Sequence, residues 1–121
     1  MQSPALAYGT VARQTASPRE LEADLLLKAA SRLQAIKEAW DDNKSDLDDA
    51  LLYNRKLWSV FLASVMGSDH LLPAEIRQNV ANLGVFVMKK TMAMMADPRP
   101  EELSSLISIN RQLAAGLRGG D

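Results

Sequence analysis

The chain has 121 residues, a formal net charge of −1 and no cysteine. This length suits one domain with its own core, the missing cysteine excludes disulfides and thiol chemistry, and the charge argues against a nucleic-acid binder that depends on a basic field. No apolar run approaches the roughly 20 residues of a membrane span, and residues 1–16 lack the charged and apolar regions of a signal peptide. We therefore expect a cytoplasmic protein with no membrane partner.

Residues 1–16 are predicted to be a flexible arm that precedes a helical domain at residues 17–118. Gly9 and Thr10 weaken a helix here, so the arm either docks through Leu6, Tyr8 and Val11 or orders only on a partner.

The first long helix is predicted at residues 18–40. Ser17 and Glu20 form a capping box, with Pro18 at the first helical position. Six residues share one face of this helix: Leu21, Leu25, Ala29, Leu33, Ile36 and Trp40. The polar run Asp41-Asp42-Asn43-Lys44 is expected to break the helix.

The second helix is predicted at residues 46–66, because acids cluster at its start, where the helix dipole favours negative charge. Its main apolar stripe contains Leu47, Leu51, Trp58, Phe61, Leu62 and Val65. Leu52, Leu57 and Val60 lie outside this stripe, so the helix is apolar over more than one face. Asn54 falls in the middle of the stripe and Arg55 at its margin.

The third helix is predicted at residues 73–96, with Pro73 at the first helical position and Asp97-Pro98 at the end. It carries two apolar stripes, Ile76, Val80, Leu83, Val87 and Met94 on one side and Ala81, Val85, Met88, Met92 and Met95 on the other. A helix that is apolar nearly all round is normally buried, which predicts the central helix of a bundle. Alternatively, the second stripe is a docking surface, because methionine is favoured on adaptable binding surfaces.

The last helix is predicted at residues 100–117, with Gly119 and Gly120 fraying. One face holds Leu103, Leu106, Ile107, Leu113, Ala114 and Leu117, and Asn110 sits in its middle. Short connections favour antiparallel neighbours, so we predict an all-α, up-down bundle of four main helices.

The sequence offers little for catalysis or metal binding. His70 is the only histidine and lies in a predicted turn beside Asp69, without a convergent acid–base set. Asp46, Asp48 and Asp49 lack the spacing and the glycine of a calcium loop. We therefore predict no enzyme, no cofactor and no metal site.

Polar side chains that lie within apolar stripes are the remaining candidates for functional residues. Asn54 and Asn110, with Asn79 at a stripe edge, need hydrogen-bond partners if they are buried. They either bond to each other or to nearby carbonyls and set the helix register, or they face a groove and bind a partner. In the second case Tyr53, Arg55 and Trp58 resemble interface anchors. The candidate partner-binding residues are Tyr53, Asn54, Arg55, Trp58, Val85, Met88, Met92, Met95, Asn110 and Arg111.

Four stretches carry a family resemblance: ASPRELEA at residues 16–23, LYNRKLW at 52–58, IRQNVANLG at 76–84 and INRQLAAGLRG at 109–119. Together they resemble the FlaF family of flagellar biosynthesis proteins over nearly the whole chain, from Ser17 to Gly119. The resemblance implies a cytoplasmic alphaproteobacterial protein needed for flagellin production and filament assembly. It also implies flagellin as a direct partner, in the manner of a secretion chaperone, and action alongside FlbT, a regulator of flagellin translation. It implies no catalytic residues.

Two functions follow as hypotheses. The first is a helical module that holds unassembled flagellin, whose termini are amphipathic helices before assembly and fit an apolar helical face. The second is a post-transcriptional regulator of flagellin expression that acts with FlbT or on the messenger RNA. The near-neutral charge and the lack of exposed stacking aromatics argue against direct RNA contact. Weak self-association through the spare apolar faces is a further alternative.

Overall fold

The computed structural model describes residues 18–67 and 72–119, and every regular element within these ranges is helical. The helices are α1 (Pro18–Glu38), α2 (Trp40–Asn43), α3 (Leu47–Val65), α4 (Ala74–Ala96) and α5 (Leu103–Gly119), with 3₁₀ turns at Lys44–Asp46 and Pro100–Glu102. The predicted all-α class and the four main helices are confirmed.

Successive long helices run in opposite directions. Arg118 near the end of α5 pairs with Asp24 near the start of α1, which makes these two helices antiparallel. Ser64 near the end of α3 donates to Glu22 of α1 at 3.4 Å. Arg77 near the start of α4 donates to the carbonyl of Gly67 just beyond α3, also at 3.4 Å. The up-down order is therefore observed for α1, α3, α4 and α5.

The centre of the fold is the pairing of α1 with α5, the most extensive helix contact in the described chain. Ala23 and Ala30 on α1 and Ala114 on α5 are all buried, and such small side chains let two helices approach closely. α4 packs chiefly on α3 and meets α5 only weakly. The prediction that residues 73–96 form a central helix covered on both sides is therefore wrong.

The inward face of α1 is rotated from the predicted one. Ala23, Leu26 and Ala30 are buried, whereas Leu25 is 43% exposed. A run of three leucines at residues 25–27 offers an apolar side chain in three directions, so its pattern does not determine which one faces inward.

The first helix ends at Glu38, two residues before the predicted end, and the chain turns at Ala39 with φ −121° and ψ 54°. The polar run at residues 41–44, predicted as a break, continues as α2 and a 3₁₀ turn. The Ala39 carbonyl accepts from the backbone N–H groups of Asp42 and Asn43 at 3.1 and 2.9 Å, which starts the new helix.

The remaining helix limits differ from the prediction by one to three residues: α3 is one residue shorter at each end, and α5 begins at Leu103, after the 3₁₀ turn at Pro100–Glu102. Pro73 has φ −58° and ψ 151°, so it is the extended residue that precedes α4, and its carbonyl accepts from the Arg77 N–H at 2.9 Å. α5 extends to Gly119, two residues past the predicted end, although fraying was predicted there. The predicted arm, the Ser17 cap and the turn containing His70 lie outside the described residues.

α3 and α4 approach each other at Gly84. A Cβ placed on Gly84 would lie 2.5 Å from Leu62 Cδ1, closer than two carbon atoms can pack. Alanine normally stabilises a helix by roughly 1 kcal/mol relative to glycine. We expect Gly84→Ala to bring no such gain in the free energy of unfolding, because the added Cβ overpacks this contact. In a Leu62→Ala background the same change should stabilise the protein. Urea unfolding of the four variants in a double-mutant cycle measures this coupling, and an equal gain in both backgrounds would contradict it.

An ion pair joins the end of α4 to the turn before α5, where Lys90 Nζ donates to Glu102 Oε1. This hydrogen bond and the lysine charge lower the pKa of Glu102 below its ordinary value. A lowered folded-state pKa stabilises the fold above the unfolded-state pKa, and the contribution disappears as the pH falls through the folded-state pKa. We expect Lys90→Met to raise the Glu102 pKa in a carboxyl NMR titration, whereas Lys89→Met, at an exposed neighbour, should leave it unchanged.

Candidate partner-binding surface

The predicted second stripe of the third helix faces outward. Val85 is 55% exposed and Met92 is 65% exposed, while Met95 is also exposed and Met88 is half-buried against the core. The opposite side of α4 supplies the core residues Val80, Val87 and Met94. The methionine stripe is therefore exposed, whereas the predicted core stripe is buried only at Val80, Val87 and Met94, since Ile76 and Leu83 of that stripe are exposed.

Side chains of α3 extend this apolar surface. Leu62 opposes Gly84, and at 100° per residue Arg55 lies about 20° and Met66 about 40° from Leu62 around α3, with Leu52 about 80° away on the same side. Leu52, Met66 and Arg55 are all exposed. Because the two helices are antiparallel, Leu52 lies toward the Met92 end and Met66 toward the start of α4. We call this surface the methionine face and define it by Leu52, Met66, Val85, Met88, Met92 and Met95.

A second apolar surface lies on the opposite flank of α3. Leu25 of α1 and Tyr53, Lys56, Leu57 and Val60 of α3 line an open groove of about 220 Å³. It adjoins a recess of about 180 Å³ that reaches the core at Leu26 and Phe61. We call the surface lined by those first five residues the α1–α3 groove. The outward apolar positions of the second helix already indicated Leu57 and Val60, whereas Leu25 was wrongly predicted to face the core.

Asn54, Trp58 and Asn110 form a polar network inside the core. All three are fully buried. Asn110 Nδ2 donates to Asn54 Oδ1 at 2.7 Å and to the Leu26 carbonyl at 3.3 Å, and Trp58 Nε1 donates to Asn110 Oδ1 at 2.9 Å. The network joins α1, α3 and α5. This arrangement corresponds to the alternative in which the asparagines bond to each other and set the register of the helices. Asn54, Trp58 and Asn110 are therefore core residues, and their prediction as surface partner contacts is wrong for this protomer.

The other predicted partner residues lie in separate places. Tyr53 is half-buried in the α1–α3 groove, and Arg55 is exposed on α3. Arg111 is exposed and lines a shallow polar cleft with Lys37 and Ser108, between α1 and α5. The structure thus brings together the four predicted residues of α4, and of the others only Arg55 lies on the flank of α3 that carries Leu62 and faces α4.

Phe86 is an exposed aromatic residue that the stripe pattern did not identify. It is 43% exposed, lies between the two predicted stripes of α4, and has Lys90 Nζ 5.7 Å from its ring centroid. Ile76 and Leu83 are exposed on the same side of α4, away from the methionine face. The sequence offered one signal for this exposed residue: Phe86 is an aromatic residue of the predicted helix that belongs to neither apolar stripe.

The structure also bears on metal binding and membrane crossing in the part of the chain that it describes. Residues 18–67 and 72–119 contain no group of three or more histidine, cysteine, aspartate or glutamate side chains placed to hold a metal ion. In the same ranges, no helix combines the length and the apolar content that crossing a membrane requires. The surfaces described above can bind by shape and apolar contact.

Comparison with known proteins gives one family match. The family described as flagellar protein FlaF matches residues 4–117, which is nearly the whole chain. Neither the curated proteins nor the solved structures contain a significant match.

Proposed function

Because this chain belongs to the FlaF family of flagellar proteins, we propose that it binds unassembled flagellin through the methionine face and so supports flagellin synthesis and secretion as a chaperone. The family connects the protein to the flagellum. Flagellin as the partner, and the chaperone role, are inferences from the surface chemistry and from the family resemblance.

The observation that carries the proposal is the exposed methionine stripe of α4. A helix on the outside of a bundle needs one apolar stripe, which α4 already provides through Val80, Val87 and Met94. Val85 and Met92 are mostly exposed and therefore contribute little packing to the core of this chain. Large exposed apolar surfaces of this kind mark sites where another molecule binds.

The geometry of the stripe suits a helical partner. Residues 85, 88, 92 and 95 follow the spacing with which one helix presents a ridge to another, and they extend over about 15 Å at 1.5 Å per residue. On α3, Leu52 and Met66 are exposed on the side that carries Leu62, with the charged Arg55 between them. An amphipathic flagellin terminus would cover its own apolar face here before assembly, and flexible methionines would adapt to it.

The decisive experiment replaces Val85 and Met92 together by aspartate. Both side chains are more than half exposed, so the fold should survive, while two carboxylates in the contact should lower the affinity for purified flagellin at least ~30-fold. Calorimetry measures the affinity, and circular dichroism checks the helices. Phe86→Asp is the matched control for Val85→Asp alone, because it places one carboxylate on the other side of α4 and should bind normally.

Two results would reject the proposal. Folded Val85→Asp/Met92→Asp protein that binds flagellin as tightly as the unaltered chain would remove the methionine face from the site. Absence of any co-elution between the unaltered chain and purified flagellin would remove flagellin as a direct partner. Co-elution with FlbT in the second case would support the regulatory alternative.

A further inference from the structure

The sulfur of this chain is concentrated on the methionine face. The full chain has six methionines and no cysteine, so its sulfur atoms are thioethers. Within the described ranges, the methionine face holds Met66, Met88, Met92 and Met95. The buried core of the same ranges contains Met94 as its only methionine. Methionine is therefore placed mainly where solvent reaches it, although it is a common gap-filler in cores.

Exposure differs strongly among these methionines. Met92 is 65% exposed and Met66 is 58% exposed, whereas Met94, two residues from Met92 on the same helix, is 1% exposed. Met95 is also exposed, and Met88 is half-buried. Because a dissolved oxidant reaches a sulfur atom from solvent, exposure decides which thioether reacts first. The methionine face is therefore open to oxidation, while the core thioether is protected.

We propose that Met66, Met92 and Met95 are sites of oxidation by hydrogen peroxide, and that their sulfoxides release the partner bound at the methionine face. The release rests on the proposed function, whereas the position of the oxidised residues does not.

The reaction is a two-electron oxidation of the thioether. The sulfur attacks one peroxide oxygen, and the O–O bond breaks as the S–O bond forms. A proton then moves from the sulfur-bound oxygen to the departing hydroxide, which leaves as water. A thiol-dependent sulfoxide reductase reverses the step, because two thiols become a disulfide and the sulfoxide oxygen leaves as water. The modification can therefore be removed.

A sulfoxide on this surface affects a complex more than the free protein. At an exposed position its oxygen accepts hydrogen bonds from water, so the fold keeps its stability. Beneath an apolar partner helix the same oxygen loses that water, and an unpaired polar group opposes binding. Met88, Met92 and Met95 are spaced by four and three residues along one stripe, so several sulfoxides act on a single bound helix.

The first measurement locates the sulfoxides. The full chain is treated with hydrogen peroxide and digested, and tandem mass spectrometry follows each methionine separately. Met92 and Met66 should oxidise at least ~10-fold faster than Met94, which reacts only when its helix opens locally. Met94 is the matched internal control, because it lies on the same helix as Met92. Equal rates for Met92 and Met94 would overturn the assignment of the oxidation sites.

The second measurement is calorimetry with purified flagellin, which is added after the peroxide has been removed. Oxidation of the unaltered chain should weaken binding at least ~10-fold, while circular dichroism shows the helices unchanged. The quadruple leucine variant carries Met66→Leu, Met88→Leu, Met92→Leu and Met95→Leu. Its affinity should be the same before and after peroxide, because leucine has a similar volume and no sulfur. Met94→Leu should remain as sensitive to peroxide as the unaltered chain.

The outcomes separate this proposal from flagellin binding itself. If the untreated chain binds flagellin and the oxidised chain binds it equally well, release by oxidation is rejected and the proposed function stands. An equal loss of affinity in the quadruple leucine variant, or unfolding of the treated chain, would also reject release from the methionine face. If the untreated chain does not bind flagellin, the proposed function fails and the release fails with it, whereas the peptide map still decides the oxidation sites.

Discussion

Replacing Asn110 by alanine is expected to destabilise the protein by about 3–5 kcal/mol. The change removes the acceptor for the Trp58 indole N–H and the donor to Asn54 Oδ1, both fully buried. Each buried polar group left without a partner costs about 1–3 kcal/mol, and the lost volume adds a small cavity. Asn54 depends strongly on this bond, because its own Nδ2 atom is buried and already has no partner.

Urea unfolding followed by circular dichroism measures this effect. Asn79→Ala is the control, because Asn79 is an exposed asparagine on α4 and its replacement should change stability by less than about 0.5 kcal/mol. Equal stabilities for Asn110→Ala and Asn79→Ala would show that the network contributes nothing to the fold. Helix rearrangement that rescues the unpaired groups would appear instead as a changed slope of the unfolding transition.

Trp58→Ala should cost a similar amount, about 3–5 kcal/mol, mainly through lost packing. Trp58 is the largest fully buried side chain, and its ring meets Phe61 edge to face, with 5.8 Å between centroids and 86° between planes. Removal of the indole leaves a cavity between α1, α3 and α5 that rigid helices fill only in part.

Trp58→Phe separates packing from hydrogen bonding. It keeps an aromatic ring but removes the Nε1–H donor to Asn110, so we expect a loss of about 2 kcal/mol. Trp40→Phe is the matched control, because Trp40 is only partly buried, and its change should cost less than about 1 kcal/mol. Guanidinium unfolding of both variants tests the order, and a larger loss for Trp40→Phe would contradict it. Asn110→Ala and Trp58→Phe should be non-additive, because both remove the same bond.

The long helices were predictable because their signals are local. Periodic leucines, prolines at the helix starts and short polar connections indicate four helices, and the structure contains them within one to three residues. The α3 stripe was also predicted almost completely, since Leu51, Trp58 and Val65 follow one strong period. Asn54 and Asn110 were recognised as polar residues within apolar stripes, and hydrogen bonding between them was one of two stated alternatives.

The arrangement of the helices was less predictable because it depends on distant parts of the chain. α1 and α5 form the centre, and buried alanines on both helices permit their close approach, but the amphipathic pattern of one helix does not show which other helix it pairs with. For the same reason the apolar run at Leu25 was assigned to the wrong face. The double stripe of α4 favoured burial but was also compatible with exposure, and only the position of α4 at the edge of the bundle distinguishes the two.

The central pairing of α1 with α5 delays folding during protein synthesis. α1 is complete at Glu38, but its main partner is complete only at Gly119. A ribosome that adds ~5–20 residues per second therefore needs about 4–16 s to supply the second half of the core. During this interval α3 is available to pack on α1, but the face of α1 that pairs with α5 stays open to aggregation or to a nascent-chain chaperone. A chain released before Leu103 should remain unfolded and sensitive to protease, which limited proteolysis of such a fragment would show.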